Sequence, residues 1–218
     1  MSPLFDLLLA TSNRGKLAEL RELLADLPIE IVSLATALPG RPQVAEDGAT
    51  LRDNALIKAR AAAAATMMIT IAEDAGLEVD ALGGRPGVRS ARFAGEAATD
   101  ADNNAALLEA LEEVEDDQRS ARFRCVMVLL DPWAEGTARE IVVEGACEGV
   151  IARAPRGGGG FGYDPLFLVE GLGLTMAELP EGEKNHISHR ARAAHALRPA
   201  LEDLITRRRA DVARLAQP

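Results

Sequence analysis

Apolar and polar positions along the first part of the chain predict strands and helices in turn. Leu4 to Ala10 is a short apolar run that indicates a buried strand. After a polar turn, leucines recur at helical spacing from Leu17 to Leu27, and a second strand is predicted at Ile29 to Leu34. Thr50 and Asp53 have the spacing of a capping box, which predicts a helix from there through residue 65. This order favours an α/β fold.

The central stretch is an apolar run, Met67 to Ala72, that ends directly in two carboxylates, Glu73 and Asp74, and a glycine. The run predicts a buried strand, and ligands of open α/β sheets bind beyond the carboxyl ends of strands. Successive strand side chains point to opposite faces, so Glu73 and Asp74 face different ways if the strand continues. The alternative is a solvated corner between a strand and a turn. A further strand is predicted at residues 77–82.

The second half of the chain predicts longer strands without helices between them. A helix opens at Thr99, and two long strands follow at Ala121 to Leu130 and Arg139 to Cys147. A shorter strand is expected at Leu166 to Val169, before a final helix with Ser188 as its N-cap and a kink or restart at Pro199. Consecutive strands of this kind predict a mixed or antiparallel part of the sheet.

The composition is that of a globular protein with an acidic surface. Lys and Arg number 24 against 34 Asp and Glu, giving a formal charge of −10. That balance argues against nonspecific binding to duplex nucleic acid, which needs a basic face. Cys125 and Cys147 lie in apolar runs, as buried thiols of a reducing compartment do. With no apolar stretch typical of a signal peptide or membrane span, we expect a cytoplasmic protein without a membrane partner.

Two polar loops are candidate nucleotide-binding segments. Residues 11–16, Thr-Ser-Asn-Arg-Gly-Lys, join a strand to a helix, where free N–H groups and the helix dipole attract phosphate. Ala10 and Leu17 exclude a Walker A loop, and an ordinary turn with a solvated lysine is the alternative. Residues 157–162 match G-x-G-x-x-G only formally, because a strand follows instead of a helix. Their glycines permit close approach of a ligand beside Phe161, unless the loop is simply a surface loop.

The charged residues outside these loops favour phosphate chemistry with a hard cation. His186 and His189 lack further zinc ligands close in sequence, and Ser188 beside His189 is poor geometry for a nucleophile and its base. Asn54 and Lys58, one helical turn apart, taken alone indicate a surface pair. Mg²⁺ prefers one or two carboxylates together with substrate phosphates and waters. The candidate cations are Lys16, Lys58, Lys184 and Arg190, and the candidate oxygen ligands are Glu46, Glu73 and Asp74.

Taken together and in order, these motifs resemble the Ham1-type family of inosine/xanthosine triphosphate pyrophosphatases, also called RdgB-like proteins. The resemblance covers residues 4 to about 204. Its main segments are Thr11–Lys16, Glu73–Leu77, Phe161–Pro165 and Ser188–Arg190, supported by Glu46–Gly48, Asp53–Ala55, Gly87–Arg92 and Lys184.

The resemblance implies an enzyme that hydrolyses dITP, ITP and XTP to the monophosphate and pyrophosphate, with Mg²⁺ and as a homodimer. It also implies an elongated mixed β-sheet flanked by helices, in one domain over residues 1–209 with two lobes and a central nucleotide cleft. Residues 210–218 are expected to form a flexible tail. Two alternatives are a pyrophosphatase of different base specificity, such as the Maf-like enzymes, and a nucleotide-binding regulator without activity.

The resemblance also implies roles for individual residues. Asp74 would be the proton acceptor and a metal ligand, Glu46 a second metal ligand, and Glu73 and Lys16 would assist catalysis. Ala75 stands where the family commonly has serine, so only a backbone contact is implied there. The implied substrate-binding residues are Thr11, Ser12, Asn13, Arg14, Gly15, Lys16, Ala75, Phe161, Gly162, Tyr163, Asp164, Lys184, His189 and Arg190.

Overall fold

Six strands form one sheet in the order β2-β1-β3-β4-β5-β6 in a computed structural model that describes residues 3–40, 44–136 and 139–215. β1 runs parallel to β2 and β3, whereas β5 and β6 are antiparallel, so the predicted mixed α/β sheet with flanking helices is confirmed. The strands are β1 (Phe5–Leu9), β2 (Ile29–Ser33), β3 (Thr70–Val79), β4 (Ser120–Leu130), β5 (Glu140–Ile151) and β6 (Phe167–Val169). The helices are α1 (Arg14–Leu23), α2 (Leu34–Ala37), α3 (Leu51–Thr66), α4 (Asp100–Ala110), α5 (Glu181–Ile187) and α6 (His189–Leu215).

The chain divides into two compact units, of which the first comprises residues 1–74, 126–144 and 193–218. Leu7, Leu8 and Leu9 of β1 are fully buried, as expected for a strand paired on both sides. The predicted capping box is present at the start of α3, where Thr50 and Asp53 bond to each other's backbone N–H. Small buried alanines on α3 allow this helix to pack closely.

The second unit comprises residues 75–125 and 145–192. Its hydrophobic core contains Phe123 of β4 and Phe167 of β6, whose ring centroids lie 4.5 Å apart. Leu107 and Leu111 bring the apolar face of α4 into the same core. Strands β3 to β6 and α4 therefore build this core together with Met176 and Leu179, which follow β6.

β3 differs from the sequence prediction, because it continues through the two carboxylates to Val79 instead of ending at them. Met67, expected as the first strand residue, is the left-handed C-cap of α3, with φ of 55°. Gly76 lets the strand continue, since a Cβ there would collide with the carbonyl oxygen of Gly87. The solvated corner given as the alternative is therefore wrong. The strand predicted at 77–82 is not a separate one, because residues 77–79 belong to β3 and residues 80–82 form a 3-10 turn.

The C-terminal helix is longer than expected. Ser188 caps α6 by accepting a hydrogen bond of 3.1 Å from the N–H of Ala191, as predicted. The helix continues past Pro199 and through residues 210–215; residues 216–218 lie outside the described part of the chain. Across the described ranges, no helix has the length and apolarity needed to span a bilayer.

Candidate functional site

Asp74 lies in a cluster of charged and amide side chains within the first unit. Lys58 Nζ lies 2.7 Å from Asp74 Oδ1 and 3.1 Å from Glu46 Oε2, so one ammonium bridges two carboxylates. Asn54 donates from Nδ2 to Asp74 Oδ2 at 3.2 Å and accepts from the N–H of Gly48 at 2.8 Å. We call Glu46, Asn54, Lys58 and Asp74 the carboxylate cluster.

Helix α3 explains how the carboxylate cluster forms. The capping box fixes the start of α3, and the helical repeat then places Asn54 and Lys58 one above the other on one face. Asn54 is buried, and both side chains point at Asp74 of β3. The prediction of a surface pair at Asn54 and Lys58 is therefore wrong; the signal that identifies the contact is the i, i+4 spacing together with a strand carboxylate.

Burial raises the pKa of Asp74, although Lys58, Lys16 and Asn54 favour its charged form. Burial also opposes the charge of Lys58, but Asp74 and Glu46 outweigh it and raise the pKa of the lysine. An aspartate with a raised pKa is a stronger base than an ordinary surface carboxylate, and catalytic bases are often tuned in this way.

Glu73 forms a separate ion pair, as expected for neighbouring residues of a continuing strand. Its Oε1 lies 3.0 Å from Lys16 Nζ, and the Glu73 side chain is only 2% exposed. Lys16 comes from the first turn of α1, so this pair ties the start of α1 to β3. Glu73 and Asp74 thus contact different lysines, Lys16 and Lys58.

The turn before α1 is already hydrogen-bonded within itself. Asn13 Oδ1 accepts from the N–H of Gly15 at 2.8 Å and of Lys16 at 3.2 Å, and Thr11 Oγ1 accepts from the N–H of Asn13 at 3.2 Å. The prediction of free N–H groups is therefore wrong for Gly15 and Lys16. Ser12 and Arg14 are exposed in this turn, so their side chains are accessible.

The second unit places an arginine over the exposed aromatic ring of the glycine-rich loop. Arg190 Cζ lies 5.7 Å from the centroid of Phe161, within the range of a cation–π contact. Phe161 is 38% exposed, whereas Arg190 is buried. His189 stacks on Phe123 with centroids 4.9 Å apart, so its ring is held by the core. We call Phe161 and Arg190 the aromatic–arginine pair.

Asp164 and Lys184 form an ion pair beside the same loop, with 3.0 Å between Oδ2 and Nζ. Gly160 has a φ of +75°, and a Cβ at this position would collide with both charged groups. Only glycine therefore lets the loop pass this pair without strain.

Two of the predicted substrate-binding residues, Tyr163 and Ala75, are wholly or partly enclosed by the protein. Tyr163 is buried and donates its hydroxyl to the carbonyl of Ser90 at 2.8 Å. Burial raises the pKa of Tyr163, with Asp100 adding to the shift, so its hydroxyl stays protonated. Ala75 is half-buried in β3, next to Asp74.

The carboxylate cluster fits a hard divalent cation better than zinc. In the described residues, no three His, Cys, Asp or Glu side chains form a ready-made metal site. Glu46 and Asp74 nevertheless hold one positive charge between them, the Lys58 ammonium. Two carboxylates suit Mg²⁺, which completes its coordination with waters and substrate phosphates.

Comparison with known proteins identifies relatives over almost the whole chain. A sequence model described as the Ham1 family matches residues 7–200. The chain is 52% identical over 198 residues to a dITP/XTP pyrophosphatase of Desulforamulus reducens, covering 91% of this chain and 94% of that protein. A dITP/XTP pyrophosphatase of Methylococcus capsulatus is also 52% identical over 198 residues, with 91% and 96% covered. The structure of a HAM1 protein from Coxiella burnetii matches with a TM-score of 0.82 and 44% identity, covering 91% of this chain and 99% of that one.

Proposed function

The chain belongs to the Ham1 family, and from this membership we propose that it hydrolyses noncanonical purine nucleoside triphosphates. The substrates are dITP, ITP and XTP, and the products are the monophosphate and pyrophosphate. The observation that carries the proposal is the carboxylate cluster, in which a buried aspartate is held by Lys58 and Asn54. Related proteins of this family carry the name dITP/XTP pyrophosphatase.

Asp74 acts as the general base in this proposal. A water oxygen bonds to the α-phosphorus, the bond from that phosphorus to the bridging oxygen of the β-phosphate breaks, and pyrophosphate leaves. Asp74 takes the proton of the attacking water, and its raised pKa supports that role. Glu73 supports the site indirectly by holding Lys16 in place until substrate phosphates take up the ammonium.

Mg²⁺ is the proposed metal, and Glu46 and Asp74 are the residues that would hold it. When bound, it supplies neutralisation of phosphate charge and polarisation of the phosphoryl oxygens. Lys16 and the turn at residues 11–15 contribute positive charge and polar contacts to the phosphates. Lys184 is assigned to the same task, for which it would exchange its present partner, Asp164.

The aromatic–arginine pair is the proposed base-binding element. Phe161 offers an exposed ring on which a purine can stack, and Arg190 offers N–H donors. Hypoxanthine and xanthine carry a 6-oxo acceptor where adenine carries a 6-amino donor. Fixed donors at that edge would be left unpaired by adenine, and sites of this kind discriminate by up to about 10⁴–10⁵-fold. His189, Tyr163, Gly162 and the backbone of Ala75 complete the proposed contacts.

A homodimer in the cytoplasm completes the proposal. Nucleoside triphosphates are cytoplasmic metabolites, which supports that location for an enzyme that removes faulty members of the pool. Light scattering of the purified chain tests the dimer: we expect twice the 23.1 kDa chain mass. A single-chain mass at micromolar concentration would contradict it.

The deciding experiment is hydrolysis of XTP, dITP, ATP and GTP with and without Mg²⁺, assaying pyrophosphate and orthophosphate separately. We expect pyrophosphate from XTP and dITP only, and no turnover in chelator. The donors at the 6-oxo edge exclude ATP, whereas GTP shares that group and its exclusion requires a steric block to the 2-amino group. Orthophosphate alone would move the cleaved bond to the γ-phosphate and contradict the mechanism. Cleavage of other bases instead would favour a Maf-like specificity, and binding without turnover would favour a regulator.

A further inference from the structure

Helix α4 holds the backbone of Gly162 on both sides. The N–H of Gly162 donates to Asp100 Oδ2 at 2.7 Å, and its carbonyl accepts from Asn104 Nδ2 at 2.9 Å. Asp100 and Asn104 are four residues apart, so both lie on one face of α4. A short loop is thus fixed to a helix through a single residue that has no side chain.

The helix that carries these two side chains is itself firmly placed. Thr99 and Asp102 form a capping box at its start. Asn103 is buried, accepts from the N–H of Ala94 at 2.9 Å and donates to the carbonyl of Ala91 at 3.1 Å. Leu107 is fully buried in the core of the second unit. Asp100 and Asn104 therefore project from a rigid element.

We propose that Asp100 and Asn104 are positioning residues that fix the ring of Phe161 for base binding. The Gly162 nitrogen belongs to the peptide group that joins Gly162 to Phe161, so the bond to Asp100 fixes the plane of that group. Asn104 fixes the peptide group on the other side of Gly162. The inference rests on the proposed function, in which Phe161 stacks on the purine.

Nearly isosteric substitutions of Asp100 and Asn104 should have opposite effects on the hydrogen bonds to Gly162. Asp100→Asn keeps an oxygen that can accept from the Gly162 N–H. Asn104→Asp replaces the donor with a carboxylate facing the Gly162 carbonyl, so it removes the bond and adds repulsion. Ala105→Asp, at the exposed neighbouring position on α4, introduces the same charge away from Gly162 and serves as the control.

The first measurement is amide hydrogen exchange of residues 157–165 in the full-length protein. We expect faster exchange of this segment in Asn104→Asp, and rates close to those of the unmodified chain in Ala105→Asp. Asp100→Asn should have a smaller effect than Asp100→Ala. Unchanged exchange in Asn104→Asp would overturn the proposal whatever the substrate is.

The second measurement is steady-state hydrolysis of XTP. We expect Asn104→Asp to raise KM about tenfold, the size expected for one lost hydrogen bond, with kcat changed less than threefold. In a Phe161→Ala background the same substitution should change KM less than twofold, because Asn104 acts through that ring. A tenfold rise in KM on adding Asn104→Asp to the Phe161→Ala variant would overturn the proposal.

Two results separate the inference from the function on which it rests. If Phe161→Ala raises KM and Asn104→Asp speeds exchange but leaves KM unchanged, the positioning role is wrong and the base-binding role stands. If Phe161→Ala leaves KM for XTP unchanged, the base-binding role of Phe161 fails and the inference fails with it. Thermal unfolding of each variant shows whether a general loss of stability contributes to the changes in hydrogen exchange and KM.

Discussion

Lys58 Nζ lies 2.7 Å from Asp74 Oδ1, and the two side chains are only 13% and 10% exposed. A charge pair this far from water is costly unless both partners are present. Burial pushes Asp74 towards its neutral form, and Lys58 is the strongest influence in the opposite direction. The lysine therefore keeps a buried carboxylate available as a base, which gives the pair a testable role.

Asp74→Asn should abolish turnover while the protein stays folded. The amide keeps the size of the carboxylate but has one acceptor oxygen for the two donors, Lys58 and Asn54, and it cannot accept a proton. General-base catalysis contributes about 10²–10⁴-fold. We expect kcat for XTP to fall by about that factor, measured from pyrophosphate release. Circular dichroism should remain that of the unmodified chain. Activity within a few-fold of normal would exclude Asp74 as the base.

Lys58→Met should move the acid limb of the pH–rate profile to higher pH. The lysine favours the charged form of Asp74, so removing it raises the pKa of Asp74 further, beyond the increase that burial already causes. Because a base works only when deprotonated, activity would then appear at higher pH than before. The measurement is kcat for XTP from pH 5 to 10.

Arg60→Met is the matched control for the Lys58 variant. Arg60 lies on the same helix as Lys58, and its substitution by Met also removes one positive charge. Its partner, however, is Glu140, with 2.7 Å between Nη2 and Oε2. We expect its pH profile to overlay that of the unmodified enzyme. An equal shift in both variants would mean that the overall charge of the protein, and not the contact with Asp74, determines the pH of the acid limb.

Arg119→Met should destabilise the protein by about 3 kcal/mol or more, because hydrogen bonds to charged groups contribute about 1.5–3 kcal/mol each. Buried Arg119 donates to three backbone carbonyls, at 2.7 Å to Ile151, 2.7 Å to Leu111 and 3.1 Å to Ala152. Arg122→Met, at a partly exposed position in β4 three residues further along the chain, should cost no more than about 1 kcal/mol. Urea unfolding measures both, and equal losses would contradict a special role for Arg119.

Both cysteines should resist thiol reagents in the native protein. Cys125 and Cys147 are both buried thiols, as their apolar surroundings predicted. Burial raises the pKa of Cys147, so little of the reactive thiolate exists at neutral pH. We expect no reaction with a chromogenic disulfide over minutes at pH 7.5 and reaction of two thiols in guanidinium. Rapid native labelling would show that one of these regions opens.

Most elements of the fold could be predicted from local pattern. The buried run at β1, the capping boxes of α3 and α4 and the long strands β4 and β5 all follow from periodicity and cap residues. The prediction failed at β3, because an apolar run followed by two carboxylates indicates a turn when its neighbours are unknown. The lysines that pair with Glu73 and Asp74 make a continuing strand stable there.

The sequence by itself determined the fold class, the order of most elements and the identity of the charged residues, because local propensity and motif order depend only on the order of residues in the chain. Only the tertiary structure decided which of those charges meet. Asn54 and Lys58 become partners of Asp74 because α3 packs so that one face reaches β3. Asp100 and Asn104 meet Gly162 from about sixty positions away. Contacts between segments far apart in sequence depend on packing, which local pattern does not specify.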